Sequence, residues 1–189
     1  TGDHAATALA IARQLGFQHT ERALTGREME AMTDEQLDIA RRNVPEVMSA
    51  FGYSEDNVFF NKDFIETLES IEDSTVDLVV SDCAINLSPR KDNVFGSIHR
   101  VLKPGGEFYI SDIVADRRLP ASIRNDKKLH AECLGGALYE YDLLDTITAA
   151  GFRDPRSVSR SLVEENIGGT PNRFYSMTLR GFKFEDPLD

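Results

Sequence analysis

Val76-Asp77-Leu78-Val79-Val80-Ser81-Asp82, followed further on by Arg100-Val101-Leu102-Lys103-Pro104-Gly105-Gly106-Glu107-Phe108-Tyr109-Ile110-Ser111, decides the fold. The first stretch is a continuous apolar run that closes on polar residues, the pattern of a strand in a parallel sheet. Between the two, Pro89 to Leu102 has helical spacing, Lys103 to Gly106 reads as a turn, and Glu107 to Ser111 as the next strand.

Working outward toward the N-terminus, Val58-Phe59-Phe60 reads as a short buried strand. Thr33-Asp34-Glu35-Gln36 fits a capping box, with Thr33 as N-cap, ahead of Leu37, Ala40, Val44, Met48 and Phe51 at helical spacing. Ala5 to Leu15 reads as a helix stopped by Gly16, and Arg22 to Thr25 as a short strand before Gly26. Toward the C-terminus, Ser122 to Leu138 and Tyr141 to Ala150 read as helices, the second stopped by Gly151-Phe152. Arg156 to Val163 and Phe174 to Phe182 read as two strands joined only by a loop. Alternating strands and helices that end in two successive strands predict an α/β fold, a mostly parallel sheet with an antiparallel edge. No linker divides residues 1–189, so they read as one domain.

Hydrophobic residues make up 41% of the 189 residues and charged residues 28%, with a net charge of −11. That acidic balance repels phosphate backbones and argues against nucleic acid as a partner. No apolar run approaches the roughly 20 residues of a membrane span, so no membrane partner is expected. The two cysteines, Cys83 and Cys133, stand 50 positions apart in no zinc-like spacing, and reduced thiols in the cytoplasm are the default reading. On local sequence, Cys133 beside Gly135-Gly136-Ala137 suits a small apolar core residue as well as a ligand. His4, His19, His99 and His130 form no metal spacing.

A helix ending in Arg100-Val101-Leu102-Lys103-Pro104-Gly105-Gly106 before a hydrophobic strand resembles the segment before strand five of class I methyltransferases, and Val76 to Ser81 resembles their strand four. More specifically, Ser81-Asp82-Cys83-Ala84-Ile85-Asn86-Leu87-Ser88-Pro89 and Glu132-Cys133-Leu134-Gly135-Gly136-Ala137-Leu138 resemble arsenite methyltransferases. Asp112 to Pro120 and Arg173 to Thr178 resemble the same family, so the likeness runs from about Thr33 to Lys183. It implies a Rossmann-like sheet with S-adenosylmethionine across the carboxyl ends of the strands. It also implies transfer of methyl groups to trivalent arsenic held by a catalytic pair, Cys83 and Cys133. Residues 112–189 would then include the region that covers the substrate. Arsenic(III) is soft and favours thiolates, and its unshared pair carries no proton. Implied partners are arsenite or its thiol adducts, with a small thiol or a thioredoxin-type protein as reductant.

For the cofactor, Gly2-Asp3 resembles the last glycine of the family's glycine-rich turn, so the central first strand is expected upstream of Thr1. Glu28-Met29, with Glu30 in reserve, matches the acid that holds the ribose hydroxyls. Phe64-Ile65-Glu66 resembles the segment that lines the adenine, with Ile65 and Glu66 as its contacts, and Asp82 stands where the family usually has Asn. Two other functions remain open on the residues alone: methyl transfer to a carbon or oxygen of a small molecule, and a truncated domain that binds As(III) without methylating it.

Overall fold

The structure, a computed structural model, describes residues 34–55, 58–167 and 170–184. The expected helix at Ala5 to Leu15, the strand at Arg22 to Thr25, Thr33, Gly2, Asp3, Glu28, Met29 and Glu30 all lie outside the described residues. The chain divides into two compact units, Thr1–Lys62 and Asp63–Asp189.

In the first unit, helix α1 spans Asp34–Ala50 and includes Pro45. Its apolar spacing buries Val44 and Met48. Val58 to Phe60 is not the strand expected from its composition. Phe59 is 78% exposed, and the carbonyl of Phe60 accepts from Arg41 Nε at 2.9 Å instead of from a ladder. Three apolar residues make a strand only where a partner edge meets them.

The second unit is built on β1 (Val76–Asp82), helix α2 (Lys91–Val101) and β2 (Leu102–Ala115). β1 and β2 run parallel, from Val76 opposite Leu102 to Asp82 opposite Ser111. The register jumps between Val76 and Leu78, because Lys103 to Gly106 bulge out inside β2. The stretch expected as a free turn is therefore part of the strand. Gly105 takes a φ of +81°, a conformation that favours glycine, and its N–H donates to the Lys183 carbonyl at 2.7 Å.

Ser122 to Leu138 forms two short helices, α3 (Ala121–Arg124) and α4 (Lys127–Ala131), and not the single helix its apolar spacing predicts. The break is local: Asp126 accepts from the N–H groups of Lys128 and Leu129, at 2.8 and 3.0 Å, and so starts a new helix. Helix α5 (Glu140–Ala149) follows, then β3 (Arg153–Ile167) and β4 (Thr170–Phe182). The sheet order is β1-β2-β4-β3, with β4 antiparallel to both neighbours. The parallel pair and antiparallel edge expected from the strand pattern are both present.

Two apolar clusters flank β2. One joins Phe95 and Ile98 of α2, Phe108 and Ile110 of β2, and Leu143 and Ile147 of α5. Within it the Phe108 ring meets Phe152 edge-on at 4.8 Å, a favoured aromatic arrangement. The other joins Ile113, Ala115 and Phe174 to Ile123, Leu134 and Ala137, and holds the segment after α4 against the sheet. The second cluster thereby sets where Cys133 sits.

Candidate functional site

Both cysteines lie at one end of the second unit. Cys83 directly follows β1, and its N–H donates to the Ser111 carbonyl at 2.8 Å, extending the ladder by one bond. Its φ of +52° then turns the chain off the sheet into a single 3-10 turn, Ile85–Leu87. Cys133 follows α4, with its N–H donating to the His130 carbonyl at 3.0 Å and a φ of +63°. A left-handed residue there is the ordinary way to close a helix, although glycine is its usual occupant. The Cys133 thiol donates to the Cys83 carbonyl at 3.3 Å, and both cysteines are half-buried and outside any disulfide. Residues 50 positions apart thus meet, thiol to main-chain carbonyl.

The surroundings hold Cys83 protonated. Its hydrogen bond with Cys133, burial, and the negative charges of Asp112 and Asp82 all push its thiol well above the ordinary range. Asp112 is buried, with its carboxylate accepting from the N–H groups of Asn86 at 2.9 Å and Ile113 at 2.8 Å. Burial raises its pKa from 3.8 to about 6, while those two N–H bonds and the nearby Lys91 oppose the shift. Lys91 is itself buried, donates to the Ser88 carbonyl at 3.0 Å, and has its pKa lowered by that burial.

The raised Asp112 value has a consequence for stability. The folded protein keeps this proton up to about pH 6, whereas the unfolded chain releases it near 3.8. The folded state therefore binds more protons between those values, and stability falls as pH rises through that window. Denaturant midpoints measured from pH 4 to 7 are expected to fall for the native chain relative to an Asp112→Asn variant. Parallel profiles for the two would rule this out.

Of the cofactor residues expected from the sequence, Ile65, Glu66 and Asp82 lie within the described residues. Asp82 is exposed at the end of β1. Ile65 and Glu66 are half-buried. The Glu66 carboxylate accepts from Ser88 Oγ at 2.5 Å, and its carbonyl accepts from Ser97 Oγ at 2.8 Å. Glu66 is thus knitted to the segment that follows Cys83. Phe64 presents an exposed aromatic face beside it.

Four residues that sequence reasoning passed over complete the arrangement: Asn86, Lys91, Asp112 and Gly136. Asp112 carried a usable signal, since a carboxylate inside an apolar strand must find hydrogen-bond donors. Asn86 donates through Nδ2 to the carbonyls of Ile113 at 2.6 Å and Cys133 at 3.1 Å. Gly136 lies so close to the Asn86 carbonyl that a Cβ there would stand 1.9 Å from its oxygen. Among the described residues, no group of three or more His, Cys, Asp or Glu side chains is arranged to hold a metal ion. None of their helices is long and apolar enough to cross a membrane.

Comparison with known proteins bears on this geometry. Residues 27–173 match the family described as methyltransferase domain. The chain is 45% identical over 163 residues to an arsenite methyltransferase of Aquipseudomonas alcaligenes, covering 82% of this chain and 46% of that protein. It is 40% identical over 161 residues to the arsenite methyltransferase of Homo sapiens, covering 80% of this chain and 42% of that protein. The crystal structure of an arsenic(III) S-adenosylmethionine methyltransferase from Chlamydomonas reinhardtii superposes with a TM-score of 0.73 at 40% identity, covering 84% of this chain and 55% of that one. The chain spans about half the length of the curated relatives it matches.

Proposed function

Because the chain belongs to the methyltransferase domain family, we propose that it transfers methyl groups from S-adenosylmethionine to trivalent arsenic held by Cys83 and Cys133. The observation that carries this reading is the meeting of two cysteines, neither in a disulfide, at the carboxyl end of a parallel strand. Ligands of open α/β sheets bind at that end.

The protonated state of Cys83 suits arsenite well. Each arsenic–sulfur bond forms as the thiol proton leaves with an arsenite hydroxyl as water, so neither thiol needs a base. Two protein sulfurs leave one coordination position for a small thiol. The same chemistry calls for a small thiol or a thioredoxin-type reductant as partner, and for a reducing compartment such as the cytoplasm. The arsenic held between the two sulfurs keeps an unshared pair with no proton on it. The work of Cys83 and Cys133 is therefore orientation.

S-adenosylmethionine supplies, when bound, an electrophilic methyl group on a sulfonium sulfur. The residues present fit such a molecule. Asp82 offers an exposed carboxylate at the end of β1, and Phe64 and Ile65 offer an apolar wall of the kind an adenine needs. Glu66, anchored to Ser88 and Ser97, ties that wall to the segment that follows Cys83. The family resemblance adds Gly2, Asp3, Glu28 and Met29 to the same site, and residues 112–189 as its cover.

A substrate panel with radiolabelled S-adenosylmethionine tests the reading. In the full protein, label is expected on arsenite supplied with a small thiol, and not on quinol or sterol acceptors. Label on a carbon or oxygen acceptor would favour a small-molecule methyltransferase. Arsenite binding with no S-adenosylmethionine affinity would favour a binding domain.

A further inference from the structure

We propose that Asn86 is the positioning residue that sets the spacing between the two thiols, an inference that rests on the arsenic reading above. Asn86 is 3% exposed and stands three positions after Cys83, yet its contacts lead away from its own turn. Through Nδ2 it donates to Ile113 of β2 and to the carbonyl of Cys133 itself. Its N–H donates to Asp112, and its carbonyl is seated against Gly136, three residues beyond Cys133. One side chain and its peptide groups therefore span both cysteine segments and the strand between them.

Other contacts also join the segments. The ring Nε2 of His130 lies 3.2 Å from the Leu87 carbonyl, and the Cys133 thiol donates to Cys83. The thiol contact cannot survive arsenic binding, because Cys133 gives up the donating proton when its sulfur takes arsenic. The Asn86 contacts use no thiol proton and persist. In the loaded site they hold the Cys133 backbone in register with the segment that carries Cys83. An asparagine suits the task because its two Nδ2 hydrogens meet two carbonyls, which a carboxylate would repel.

The test uses Asn86→Asp and Asn86→Ser in the full protein, with Cys133→Ser as reference and phenylarsine oxide as probe. This probe has one organic group and binds tightly only where two sulfurs meet it together. Iodoacetamide labelling counts the thiols, and a thermal melt checks the fold. Both Asn86 variants are expected to label Cys83 and Cys133 as fully as the native protein and to melt cooperatively. Their probe affinity is expected to fall by about tenfold or more, from the lost preorganisation of the pair. Native and Cys133→Ser proteins that bind the probe equally would overturn the arsenic reading itself. Tight native binding that the Asn86 variants retain would overturn the positioning role and leave the arsenic reading intact. Loss of cooperative melting in both Asn86 variants would assign Asn86 to the core and equally overturn it.

Discussion

Replacing Cys83 or Cys133 by serine is expected to weaken arsenite binding by about 10²–10⁴-fold, the gain that a second tethered ligand ordinarily supplies. Methyl transfer to arsenic should disappear with it. The exchange removes a soft donor and leaves a hard one, while the shape of the side chain hardly changes. A serine at position 133 can still donate to the Cys83 carbonyl as the thiol does, so the loop has no reason to open. S-adenosylmethionine affinity, read by calorimetry, should therefore hold in both variants. Because the thiols act as one chelate, the double variant should be little worse than either single one. Full turnover of arsenite by both single variants would remove the pair from the mechanism.

Gly136→Ala should be the most damaging single-methyl change in this part of the fold. A Cβ there lies 1.9 Å from the Asn86 oxygen and 2.9 Å from its carbonyl carbon, and neither atom belongs to a side chain that can swing aside. One of the two cysteine segments has to move. A loss of about 3 kcal/mol is expected, as for overpacked sites, with a melting temperature lower by about 6–12 °C. Arsenite binding should weaken as well, because the displaced segment carries Cys133. Gly96 provides the internal comparison. It lies within α2, and a Cβ there meets nothing within 4 Å. Gly96→Ala should be stabilising by about 0.5–1 kcal/mol through better helix propensity. Similar melting temperatures for the two alanine variants would mean that the tight contact is relieved at no cost.

The fold was legible where burial imposes a pattern. The second half of β2 is an apolar run because apolar clusters pack against it, and the tail reads as two strands because only a loop separates them. β1 reads as a strand from its β-branched residues, although Leu78 and Val80 are exposed and its run does not mark burial. Composition misled at three stretches. Val58 to Phe60 has strand-like residues, but Arg41 takes up a carbonyl that a ladder would need. Residues 122 to 138 keep helical spacing across Asn125-Asp126, and the helix breaks because Asp126 caps a new start. Lys103 to Gly106 looks like a loop, yet the ladder resumes around it as a bulge. In the site, the position of Cys83 follows from its place at a strand end. The meeting with Cys133 does not follow from any local feature, since it depends on how the segment after α4 packs on Ile113 and Phe174. Family resemblance brought the two cysteines together on paper. Asn86 and Gly136 stayed hidden because their roles arise only after that packing.

Both cysteines occupy left-handed backbone, at φ of +52° and +63°. A β-carbon at such a position costs about 1 kcal/mol that glycine avoids. The two residues proposed to carry the chemistry are therefore ones that selection for thermal tolerance alone would tend to discard. Laboratory evolution toward heat resistance, run without arsenic, should drift toward glycine or asparagine at 83 and 133. Run with arsenic present, it should keep both thiols and find its gains elsewhere, as expected when function and durability compete for the same positions.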